Sequence, residues 1–110
     1  MSYCLTLGII KNDGMSHVMT YDRLRVDTQD EDLFELIRAA ATPLGAGVYW
    51  WSDDGCKRLS TDAYDFPLTF VTSFQLALLL GDVHLDPWDA ALKAFMVALP
   101  PATRVVLFWN

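Results

Sequence analysis

The sequence predicts an α+β fold: a mostly antiparallel sheet of four to five strands packed with about three helices, in the order ββα-ββα-αβ, as a single domain over residues 1–110. Stretches that alternate apolar and polar residues arrive in pairs joined by Asp-Gly turns, which is how hairpins are written and which disfavours a doubly wound parallel sheet. Behind capping residues, apolar positions recur three and four apart, as in amphipathic helices. The chain closes with "TRVVLFWN", in which Val105, Leu107 and Trp109 alternate with Val106 and Phe108. Both sets are apolar, which suits a central strand covered on two sides.

Ser2 to Ile10 sets Tyr3, Leu5, Leu7 and Ile9 against Ser2, Cys4, Thr6 and Gly8, the period of a strand with one core face. Asn12-Asp13-Gly14 is a turn signal, and His17 to Val26 supplies the returning strand. Thr28 then opens a helix, with Glu31 at capping-box spacing, acids in the first turn and Arg38 near the end, where the macrodipole favours a cation. Leu33, Phe34, Leu36, Ile37 and Ala40 form its apolar stripe, and Pro43 and Gly45 stop it.

A second hairpin follows, with Val48 to Ser52 turning through Asp53-Asp54-Gly55 into Cys56 to Ser60. In "DFPLTFVTSFQLALLLGD", Phe66, Phe70, Phe74 and Leu78 fall four apart and predict a helix, although the β-branched start "LTFVTSF" also suits a strand. Asp86 and Pro87 start the last helix as N-cap and first residue, with Trp88, Ala91, Leu92, Phe95 and Leu99 on one face. Pro100-Pro101 ends it. The two hairpin-then-helix halves share no residues beyond their Asp-Gly turns, so no internal duplication is inferred.

The 53% hydrophobic and 20% charged composition is far from that of a disordered chain. A chain of this length buries roughly two thirds of its unfolded surface and needs no metal or disulfide staple. The excess of 14 acids over 8 bases gives a net charge of −6, which repels phosphate backbones and anionic lipid heads. Direct nucleic-acid binding is therefore not expected, and acidity for solubility alone is the competing reading.

The N-terminal apolar run has no basic residue before it and reads as a strand, not as a secretory signal. The longest uncharged stretch, Phe66 to Gly81, carries Thr69, Thr72, Ser73 and Gln75 and is too short for a bilayer, so it predicts a buried helix. Cys4 and Cys56 have no CxxC spacing; free thiols in a reducing cytoplasm are expected, with a disulfide between strands as the alternative.

Motifs for chemistry are scarce: no Gly-rich phosphate loop, HExxH, nucleophile elbow or paired CxxC occurs. Cys4 and His17 would make a thiol and base, but a hairpin folded about Asp13-Gly14 puts Cys4 opposite Arg23 and leaves His17 about 20 Å away. His84 and Asp86 supply only two potential metal ligands on a loop, too few for a site. Asp27, Asp30, Glu31, Asp32 and Glu35 would suit a cation or a basic partner, but Asp30, Glu31 and Asp32 sit where a helix N-terminus prefers anions, and Asp32, Glu35 and Arg38 form an ordinary solvated face. Neither a catalytic centre, a metal nor a cofactor is expected.

The candidate site is the stretch "GVYWWSDDG", where Trp50 and Trp51 fall on alternate faces of one strand and Asp53 and Asp54 follow in its turn. Either helices cover both sides of the sheet, or one side presents aromatics beside acids, as interaction surfaces do. The last helix adds a second oddity, because away from its stripe it offers Ala90, Lys93, Ala94 and Val97, with only one charge. It is either sandwiched inside the monomer or packed on another chain. These features predict a protein-binding domain, an acidic inhibitor or immunity-type protein that masks a basic enzyme such as a nuclease or toxin. A homo-oligomeric structural or accessory subunit is the alternative, and a small enzyme built on dispersed acids and His84 comes third. The expected partner is a basic protein, and neither nucleic acid nor membrane is expected.

Overall fold

The computed structural model describes residues 4–11, 18–19, 24–27, 30–45, 47–52, 55–81 and 86–110, with the backbone alone at residues 11, 18, 19, 50, 51 and 52. The strands are β1 (Leu5–Lys11), β2 (Val18–Met19), β3 (Leu24–Val26), β4 (Thr42–Pro43), β5 (Val48–Ser52), β6 (Gly55–Leu59), β7 (Thr69–Thr72) and β8 (Arg104–Trp109). The helices are α1 (Glu31–Ala40), α2 (Ser73–Leu80) and α3 (Pro87–Ala98).

Five strands form an antiparallel sheet in the order β4-β7-β8-β1-β3, so the predicted α+β class holds. The far end of β1 also pairs with β2, which meets the antiparallel β5–β6 hairpin through one parallel pair, Val18 with Tyr49. β8 lies between β7 and β1, the central place that its two apolar faces require. Among the described residues no helix is long and apolar enough to cross a membrane.

The helices share one side of the sheet. Leu5, Leu7 and Ile9 of β1 and Val105, Leu107 and Trp109 of β8 pack there with Phe34 and Ile37 of α1, Leu76 and Leu80 of α2, and Leu92 and Met96 of α3. The opposite side carries a smaller core of Ile10, Val106, Leu44, Val48 and Leu68, with Phe70 and Phe108 against it. Helices therefore do not sandwich the sheet; the second cover comes from the hairpin and two connecting segments. Their backbone is tied by Leu44 N–H to the Leu68 carbonyl (3.0 Å) and Leu68 N–H to the Ser60 carbonyl (3.1 Å). Gly47, just before β5, lies close under β6: a Cβ there would stand 3.0 Å from the Leu59 carbonyl and 2.7 Å from the movable Arg58 side chain, so a larger residue would crowd the hairpin.

Several expectations need correction. The return from β1 is split, and between the pairs Leu7–Leu24 and Ile10–Met19 three steps along β1 match five along the return. Leu5 accordingly faces Val26, so Cys4 lies near Asp27, and Arg23, the partner that a hairpin about Asp13-Gly14 would give it, is outside the described residues. The first helix is capped by Asp30 in place of Thr28, its carboxylate accepting from the Asp32 and Leu33 N–H groups.

The segment expected to be a buried helix, whose β-branched start also suits a strand, is β7 followed by α2. The switch falls at Thr72, which forms a capping box with Gln75. Phe66, Phe74 and Leu78 then lie outside, while Ser73, Leu76 and Leu80 are buried. Ser73 is tolerated in the core because its hydroxyl donates to the Pro100 carbonyl at 2.8 Å.

Leu107 is fully buried at the centre of the sheet, so Leu107→Ala should cost about 3 kcal/mol in a denaturant titration. Phe66→Ala, at a side chain 66% exposed, should stay within about 0.5 kcal/mol of the parent.

Candidate interaction surface

The phase of α3 decides what this molecule shows to its surroundings. The apolar spacing predicts that Trp88, Ala91, Leu92, Phe95 and Leu99 face inward, yet the buried residues are Asp89, Leu92 and Met96. Hydrogen bonding turns the helix. Asp86 caps it by accepting from the Asp89 N–H at 2.8 Å, and the Asp89 carboxylate accepts the Asp27 N–H at 2.9 Å, which draws an acid into the core. The Trp88 indole donates to the Arg25 carbonyl and is held at the margin of β3, where its ring stays half exposed.

Large apolar side chains therefore stand outside on both flanks of α3. Trp88 and Phe95 line a hollow of about 180 Å³ with Leu24 and Ala91. On the other flank, Phe74, Leu78 and Val97 line a groove of about 380 Å³ between α2 and α3. The crest between them is built of alanines, with Ala90, Ala91, Ala94 and Ala98 exposed. The charged residue in the groove, Lys93, donates from Nζ to the Gly81 carbonyl at 2.6 Å, which spends part of its hydrogen-bonding capacity inside the molecule. Among the described residues no acid lines either concavity.

The acids collect elsewhere. Asp30, Glu31, Asp32 and Glu35 are exposed on α1, with Glu35 paired to Arg38 at 3.2 Å. Arg38 in turn lies over the Trp109 ring, 4.2 Å from its centroid, and Phe34 meets the same ring edge-on at 5.4 Å. The acidic helix is thereby anchored to the end of β8.

Of the sequence-predicted site, Trp50 and Trp51 belong to β5, their backbones opposite Lys57 and Cys56, while their side chains and Asp53 and Asp54 lie outside the described residues. The strand they face across the hairpin, β6, is exposed from Gly55 to Arg58. His17 and His84 also lie outside the described residues, and Asp86 is a helix cap. Cys4 and Cys56 are free thiols, and Arg25 donates to Cys4 Sγ at 2.9 Å. No group of three or more metal-ligating side chains occurs among the described residues.

Asp27, Asp86 and Asp89 meet where β3 passes the start of α3. Hydrogen bonding to Asp86 and repulsion from its charge push the Asp27 carboxyl above its ordinary value. The Asp86 carboxyl is lowered, chiefly because it accepts the Asp89 N–H. The pair thus divides its roles by its donors: Asp86 keeps the charge and Asp27 takes the proton more readily.

Apolar spacing alone places Trp88, Phe95, Phe74 and Leu78 in the core, so the sequence points to α3 as a contact for another chain but not to these side chains. The available signal was the near absence of charge on the far side of α3, which the sequence does display. No protein family, curated protein or solved structure matches this chain.

Asp27 is easier to protonate in the fold than in the unfolded chain, so its ionisation opposes folding at neutral pH, and that opposition disappears below the ordinary value of 3.8. Asp27→Asn should therefore melt higher than the parent near about pH 7, and the gap should close as the pH falls below that value. A separate melt of Asp89→Ala should show a loss of about 2 kcal/mol, since it strands the Asp27 N–H beside a new cavity.

Proposed function

We propose that this chain is a protein-binding domain that acts by docking and performs no chemistry of its own, in the manner of an acidic inhibitor or immunity-type protein directed at a basic enzyme such as a nuclease or toxin. One observation carries the reading, the segregation of charge on a chain of net charge −6. Among the described residues, the largest group of exposed acids, Asp30, Glu31, Asp32 and Glu35, lies at the start of α1, while five of the large exposed apolar residues lie on α2 and α3 around concavities that no described acid lines. Acidity spread for solubility alone has no reason to separate in this way. An acidic surface raises the encounter rate with a basic protein, and apolar contacts hold what has docked. The free thiols support a reducing, cytoplasmic setting. The bareness of the helical face also favours the accessory-subunit reading, in which that face meets another chain.

The test is capture of basic proteins from a native lysate on the immobilised chain, followed by association kinetics of whatever is retained. Reversing Asp32 and Glu35 to Lys should slow association several-fold and flatten its dependence on salt, with only a modest loss of melting temperature from the helix N-terminus and the pair to Arg38. The paired reversal of Asp53 and Asp54 shows whether the hairpin turn shares the task. Association that ignores both reversals at low salt would refute the basic-partner reading.

A further inference from the structure

We propose that the α2–α3 face is the self-association surface of this protein, occupied by a second copy of the same chain; the inference rests on reading that face as a protein-docking surface. Phe74, Leu78, Trp88, Phe95 and Val97 are between 45% and 66% exposed. With about 150–250 Å² for a buried aromatic side chain, these five residues leave on the order of 500 Å² of apolar surface uncovered. A standard interface takes about 800 Å² from each partner, somewhat more than half of it apolar. The patch matches that apolar share, and its size falls in the range of about 300–600 Å² where the largest patch of a protein often serves an interaction.

Shape points to a copy of the same chain. A twofold interface needs one surface that complements itself, so that each protomer offers both a projection and a recess. The alanine crest of α3 is such a projection, low enough for close helix approach, and the 380 Å³ groove between α2 and α3 lies directly beside it. A twofold axis near α3 seats the crest of each copy in the groove of the other.

Charge agrees. Two chains of net charge −6 repel, and they can meet with least cost at concavities that no described acid lines. In the groove, Lys93 has already turned to the Gly81 carbonyl, which lowers the cost of covering it. The acids of α1 stay outside this contact, available to a basic partner.

Sedimentation velocity of the full chain decides the matter. The wild type should sediment as a species of twice 12.4 kDa at micromolar concentration. Leu78→Glu on α2 and Val97→Glu on α3 should each weaken the dimer by roughly a hundredfold or more, since either buries an unpaired charge at the seam. Both residues are solvent-facing, and circular dichroism will verify that each variant folds. Leu36→Glu, at an equally exposed residue of α1, should leave the dimer intact. A wild type that stays monomeric, or a dimer that both Glu variants preserve, would overturn the proposal. The dye 1-anilinonaphthalene-8-sulfonate separates the ways of failing. A monomer that binds it, and loses it on Val97→Glu, keeps a docking face for a different protein. A monomer that does not bind it loses the docking reading as well.

Discussion

The structure depends on burying both faces of one strand. β8 carries apolar residues at five consecutive positions, Val105 to Trp109, so neither of its sides can be left to water. Its central place between β7 and β1 follows, because a strand at the edge would expose one row of backbone groups as well as these side chains. The rest of the chain supplies the two covers. Three helices take the side of Val105, Leu107 and Trp109, and the β5–β6 hairpin with Leu44 and Leu68 takes the side of Val106.

The two covers are unequal, and the inequality explains the surface. A helix touches the sheet along a stripe, so an eight-residue helix that is apolar at nearly every position, like α2, has more hydrophobic side chains than the core can accept. In α3 the hydrogen bond from the Asp27 N–H to Asp89 fixes the rotation of the helix and sends Trp88 and Phe95 outward. The exposed apolar face is therefore a consequence of polar interactions at one end of a helix. Charge gathers on α1 for an equally local reason, since Asp30 caps that helix and Glu31 and Asp32 fill its first turn.

What the sequence disclosed and what it concealed divide along physical lines. β5 and the start of α3 were legible because their signals are local: alternation with β-branched and aromatic residues in Val48 to Ser52, and a cap followed by proline at Asp86-Pro87. β8 was legible because no other placement suits its two apolar faces. The phase of α3 was hidden, since apolar spacing always turns Trp88 inward and Asp89 outward, and the partner that reverses this, the Asp27 backbone, is 62 residues away in the chain. The switch from β7 to α2 was obscured by an accidental four-residue recurrence of phenylalanine, although Thr72 and Gln75 carried the capping signal in plain view. The offset between the two halves of the strand returning to β1 has no signature in composition at all. Of the interaction surface only the thin charge on α3 was readable. The hairpin site at Trp50, Trp51, Asp53 and Asp54 rests on sequence alone.

The central pairing also dictates how the molecule comes together. β1 and β8 meet with Leu5 opposite Trp109, so the middle of the sheet joins opposite ends of the chain. Closing a loop of about a hundred residues costs on the order of 4 kcal/mol of entropy before any contact repays it. A sheet assembled this way forms slowly and late, because non-local pairing slows folding. Helices α2 and α3 are neighbours in sequence and pack on one another without that delay. Until the sheet closes, the side chains of α2 and α3 that will face it have no cover, and apolar surface of that kind favours aggregation at high concentration. A second chain that seals the outer side early would lessen the apolar surface exposed meanwhile, giving self-association a kinetic value separate from anything the folded protein binds.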